Sequence, residues 1–138
     1  MNRRLCLFTL LVAAGSLSLS SCSRGEGPEE PVWGKQACAH CAMIVGDKRY
    51  AAQVVLGGER SHFDDVGCMI AFVEKRGSRP ERAWVRDEAH DGWLESERAR
   101  YRRGAKTPMD YGFAASTDGP LSFEDVSRDL VARSEERP

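Results

Sequence analysis

Histidine is scarce in this chain, three residues in 138, and no second Cys-x-x-Cys completes a four-cysteine zinc site around Cys38 and Cys41. Twenty Lys and Arg face 21 Asp and Glu without any basic block, which removes the electrostatic basis for nucleic-acid binding. No apolar run reaches the roughly 20 residues that cross a bilayer; the stretch Leu5 to Leu17 stops short. Cysteine is present in an awkward number. If Cys6 leaves with a signal and Cys22 is modified, Cys38, Cys41 and Cys68 remain, and three thiols cannot all pair as disulfides.

The short apolar run has a use. Asn2-Arg3-Arg4 precedes it and Leu19-Ser20-Ser21-Cys22 follows, a pattern that resembles a bacterial lipoprotein signal cut before Cys22. That resemblance implies acyl chains on Cys22, with Ser23 directing the product to the outer membrane, facing the periplasm; several chains together anchor stably where one does not. Loss of residues 1–21 removes Arg3 and Arg4, taking the formal charge from -1 to -3, and leaves a length suited to one domain or two small ones. Residues 22–35 are expected to be the lipidated cysteine and a flexible tether. Its segment Ser23 to Pro31, rich in Gly, Pro and Glu, could hold the body on the order of 30 Å from the membrane. Residues 134–138 are expected to fray.

Between these ends the pattern is α+β. Tyr50 to Leu56 reads as a strand, Gly57-Gly58 as a hairpin turn, Glu59 to Phe63 as the return, and Asp64 or Asp65 as the cap of a helix running to about Lys75. Ala83 to Arg86 is a further strand, and Gly92 to Leu94 and Arg100 to Arg102 open a second unit. That unit continues through Tyr111–Ser116, a turn at Asp118-Gly119, and Pro120–Phe123, to a helix ending near Arg133. Phe63-Asp64-Asp65-Val66 matches Phe123-Glu124-Asp125-Val126 at an offset of sixty. The expectation is therefore two related units, 36–88 and 89–133, each a short antiparallel sheet covered by one helix.

On the first helix Val66, Met69, Ile70 and Val73 fall at i, i+3, i+4 and i+7, a stripe facing the sheet, which makes Met69 first a core residue. Cys68 lies off that stripe. Under the sixty-residue match its counterpart is Arg128 and that of Met69 is Asp129, so sulfur there is not required by such a helix.

Cys38-Ala39-His40-Cys41-Ala42-Met43 and Cys68-Met69 put thioethers beside thiolates, a combination suited to soft, closed-shell copper(I) more than to zinc. A redox pair, a zinc site and a Cys38–Cys41 disulfide remain alternatives. A redox pair would want a helix immediately after the thiols, whereas Met43 to Asp47 reads as loop. His62, just ahead of the Cys68 helix, is a further candidate ligand. Met109, between Pro108 and Asp110, has no apolar neighbours at core spacing and reads as a thioether offered from a loop.

These motifs together carry a family resemblance. Cys-x-x-Cys-x-Met-Ile after a lipidated N-terminus, Arg49-Tyr50-Ala51-Ala52-Gln53, Phe63-Asp64-Asp65-x-Gly67-Cys68-Met69 and Thr107-Pro108-Met109-x-Tyr111-Gly112 resemble the NosL family over about residues 36 to 126. The resemblance implies a periplasm-facing lipoprotein that is a copper(I) chaperone, not an enzyme. Such a protein delivers copper for maturation of nitrous oxide reductase, with an ABC transporter complex as partner. It also implies a fold similar to the organomercury lyase core and copper held by Cys41, Met43 and Met109; Cys38, Cys68, Met69 and His62 are further candidate ligands by residue type alone. The chain departs from the family pattern at Ala42 and Asp110, where glycine is usual. The competing class is a thiol-dependent lyase or redox enzyme using Cys38, Cys41 and Cys68, with Asp65 as proton donor.

Overall fold

The computed structural model describes residues 27–136; the signal segment and Cys22 lie outside the described residues. The elements in order are β1 (Ala52–Leu56), β2 (Glu59–Phe63), α1 (Val66–Arg76), β3 (Arg82–Arg86), β4 (Trp93–Glu95), β5 (Arg100–Arg103), β6 (Phe113–Ser116) and α2 (Phe123–Glu135). They form an α+β fold with a four-stranded antiparallel sheet, order β2-β1-β3-β4, and a two-stranded antiparallel sheet, β5-β6. Among the described residues no helix is long and apolar enough to cross a membrane.

The β1–β2 hairpin closes as its sequence requires. Gly57 and Gly58 take φ of 62° and 77°, the left-handed pair of a two-residue hairpin turn. Register pairs Ala52 with Phe63 and Leu56 with Glu59, so Ala52, Val54 and Phe63 are buried on one face and join Met69 and Ile70 of α1 in the core. α1 starts at Asp65, whose carboxylate accepts the Gly67 N–H, and stops at Gly77, which takes φ 62° and returns its own N–H to the Val73 and Glu74 carbonyls.

The second half departs from a repeat of the first. β4 pairs with β3, so residues 93–95 belong to the first sheet, and the two sheets share one hydrophobic core that runs from Val45 through Tyr101 and Phe113 to Leu130. Leu121 makes only a single bridge to Tyr101, where a full return strand was expected. The two helices also begin at different points of the matched tetrapeptides. Val66 is the first residue of α1, whereas α2 already starts at Phe123, because Ser122 caps it and forms a reciprocal capping box with Asp125. Arg128 and Asp129 are therefore not the positional equivalents of Cys68 and Met69.

The other face of the large sheet is covered by the N-terminal segment. From Gly27 onward the stretch expected to be a free spacer is fastened down. The Glu29 backbone exchanges two hydrogen bonds with the buried Gln53 amide at 3.0 and 2.9 Å, and the Gly27 carbonyl accepts from Arg60. The Glu30 carboxylate accepts from Arg86, Trp93 and Trp33 at 2.8, 2.8 and 2.9 Å. Arg86 is buried between the Trp33 and Trp93 rings, with centroids 5.7 and 5.0 Å away, and also pairs with Asp91.

Candidate metal centre

The segment 37–44 is a tight hairpin. Cys38 N–H donates to the Met43 carbonyl at 2.7 Å, Ala42 N–H donates to the Cys38 carbonyl at 3.0 Å, and Ala37 bridges Ile44. Ala42 sits at φ 62°, a left-handed conformation that costs a β-carbon-bearing residue about 1–2 kcal/mol. Ala39 N–H donates to the His62 carbonyl at 2.9 Å and docks this turn on β2. β2 leads directly through Asp64 and Asp65 into α1, whose first turn carries Cys68. The turn and the β2–α1 junction thus meet at one place.

There the Sγ atoms of Cys38, Cys41 and Cys68 and a carboxylate oxygen of Asp64 all lie within 4.8 Å of one another. Two sulfurs each about 2.3 Å from a common ion are at most about 4.6 Å apart, so these four groups are already close to ligating distance. All three cysteines are free thiols. Cys38 and Cys68 are buried, Cys41 is half-buried, and Asp64 is buried at 1% exposure.

The backbone tunes each sulfur differently. Cys38 accepts from the Cys68 thiol and from the backbone N–H groups of Cys41, Asp64 and His40, which together override its burial and bring its pKa down to about 6. Cys68, the donor in that pair, is pushed far up by giving its proton to Cys38 and by burial. Cys41 is pushed up by burial and by the neighbouring Cys38 and Asp64, against an opposing Met43 N–H. Its thiol points at both Asp64 oxygens, 3.5 and 3.7 Å away. The N-terminal end of α1 adds positive potential beside this negative set.

Such a turn, with backbone donors aimed at sulfur and three thiols facing one carboxylate, can hold a metal ion. The remaining candidates lie outside this four-residue group. Met43 is 58% exposed on the turn itself and Met109 is 36% exposed on its loop. Met69 packs in the hydrophobic core, and His62 is half-buried outside the four-residue group, its Nδ1 buried without a hydrogen-bond partner. Asp64 is the functional residue the sequence reading missed. Of the two consecutive acids before the helix, Asp65 takes the cap by accepting the Gly67 N–H, its carboxyl pushed up by burial, while Asp64 faces the cysteines.

No protein-family model matches the chain, and no curated protein matches it.

Proposed function

We propose that this protein is a copper(I) carrier of the NosL kind, held at the cell envelope through Cys22. It passes copper to the maturation of nitrous oxide reductase with an ABC transporter complex as partner. The observation that carries metal handling is the convergence of Cys38, Cys41, Cys68 and Asp64 within 4.8 Å. Thiolate-rich donor sets select soft ions, and the exposed thioethers Met43, two residues from Cys41, and Met109, whose backbone N–H donates to Asp65, suit copper(I) specifically. The family reading is supported by a backbone detail. Ala42 and Asp110, the two positions where the family pattern has glycine, are the two non-glycine residues with positive φ among those described, at 62° and 59°.

A half-exposed Cys41 at the rim of two buried thiols fits a carrier, because an incoming partner ligand can displace the accessible thiolate first. The test is competition of the reduced protein against a chromophoric copper(I) chelator. One equivalent of copper(I) should bind, Cys41→Ser and Cys38→Ser should each lose most of the affinity, and Met43→Ala or Met109→Ala should weaken copper(I) but not zinc. Failure of the wild-type protein to compete refutes the carrier reading.

The Cys41–Asp64 contact favours a second reading, a thiol-dependent lyase. Paired thiolates would take the mercury of an organomercurial while an acid delivers a proton to the departing carbon, releasing a hydrocarbon and leaving mercury on sulfur. Asp64, whose oxygens lie 3.5 and 3.7 Å from the Cys41 sulfur, would take up the thiol proton and return it in that step. Hydrocarbon release from an organomercurial, abolished by Asp64→Asn, would favour it over the carrier.

A further inference from the structure

The thiol cluster belongs to the first half of the chain, while Met109 comes from a loop forty-one residues beyond Cys68. What hydrogen-bonds the loop to the start of α1 is the buried Asp65 side chain. Asp65 Oδ1 accepts the Gly67 N–H at 2.9 Å, and Oδ2 accepts the Met109 N–H at 3.3 Å. The Thr107 hydroxyl also donates to this carboxylate. Thr107 in turn closes its own loop: its Oγ1 accepts the Gly112 N–H at 3.2 Å and its carbonyl accepts the Asp110 N–H at 3.1 Å. On the far side of the loop Tyr111 rests directly on Gly67, where a β-carbon would overlap the ring. Met109 and Gly67 line one groove between α1 and α2, about 470 Å³ in volume.

Asp65 therefore does more than cap a helix. Capping needs one acceptor, and one oxygen supplies it; the second oxygen is used to fix the backbone of the loop that carries Met109. The neighbouring residue, Asp64, is in the thiol cluster, and Cys68 is one helical turn on.

We propose that Asp65 is a positioning residue that fixes the Met109 thioether relative to the Cys38–Cys41–Cys68 cluster, so that the two halves of the chain present one site to a soft ion. This rests on the copper(I) reading. Partners that orient ligands from outside the coordination sphere are worth about 10–100-fold in metal affinity.

The test uses the mature reduced protein, residues 22–138, which retains every described contact. Asn caps helices as well as Asp, so Asp65→Asn preserves the cap oxygen but turns an amide toward the Met109 N–H. Its copper(I) affinity should fall about 10–100-fold while zinc affinity stays unchanged, since a thioether serves only the soft ion. In the Asp65→Asn/Met109→Ala double variant the loss should be no greater than in Met109→Ala alone. Equal loss of copper and zinc, or losses that multiply in the double variant, overturns the proposal and assigns Asp65 a purely structural role. Should Asp65→Asn fail to fold, Thr107→Val removes the hydroxyl donor without touching α1; selective copper loss upholds the proposal and unchanged affinity overturns it. If the wild-type protein binds no copper(I), the carrier reading falls and this proposal with it. If it binds copper(I) and Met109→Ala is without effect, the proposal alone falls.

Discussion

Replacing Ala42 by glycine isolates the backbone strain of the metal-site turn. At φ 62° an alanine Cβ is crowded against the following carbonyl, a cost of about 1–2 kcal/mol that glycine escapes. Glycine also gains freedom in the unfolded chain, which returns about 0.4–1 kcal/mol of that. The net is a stabilisation of about 0.5–1 kcal/mol. Asp110 at φ 59° gives the contrast: aspartate visits this region more readily, so Asp110→Gly should be close to neutral. Urea unfolding of the metal-free, reduced protein reads both, with a raised midpoint and unchanged slope for Ala42→Gly and a shift of about 2–5 °C in melting temperature. A destabilised Ala42→Gly, or a gain at Asp110 exceeding that at Ala42, would refute the assignment of strain to this turn.

The Cys38 thiol, brought from an ordinary 9.0 to about 6, makes the apo protein's stability depend on pH. Between those values the unfolded chain holds the proton and the folded chain does not, so the contribution grows as pH rises from 6 to 9. Beyond that, the raised thiols of Cys41 and Cys68 remove stability again; Cys38→Ser should flatten the rise in denaturation midpoints measured across pH 5–10. Gly67→Ala should destabilise by about 1–3 kcal/mol through overlap with the Tyr111 ring, and Tyr111→Ala in the same chain should recover part of that loss; thermal melts of the two and their combination decide. Glu30→Gln, which keeps the shape but weakens the bond to Arg86, should cost about 1 kcal/mol and speed proteolysis near residue 30. Unchanged cleavage would show that the strap is held by its backbone contacts instead.

The strands and α1 were legible because hydrophobic alternation, paired glycines and an aspartate cap all agree over residues 50–77. The sixty-residue match misled because it weighed three identities and one Asp/Glu exchange above local capping chemistry: Ser122, three residues before Asp125, wins the start of α2 and shifts its phase. The three cysteines were recognisable by type, yet their meeting point was not, since apart from the Cys68 thiol the donors aimed at Cys38 are backbone N–H groups that carry no sequence signature. Asp64 was readable only as the acid left over once Asp65 had taken the cap. The strap escaped for a different reason. Its composition is that of a linker, and what fixes it are Gln53, Arg86 and Trp93, tens of residues away in sequence.

With Cys22 as the anchor, that strap sets a mooring length. Five peptide steps from Cys22 to Gly27 extend at most about 18 Å, against the roughly 30 Å of an unbound spacer. The Gly27 mooring grips Arg60 and the cysteine turn grips His62, two residues apart on β2. Successive residues of a strand are about 3.4 Å apart, so both attachments fall within about 7 Å along one strand. On the proposed lipid anchoring, the cysteine turn would stay within a thin layer above the membrane surface. On the proposed carrier role, its search for a recipient would then be close to two-dimensional, which favours partners that reach into that layer over those dilute in the surrounding volume.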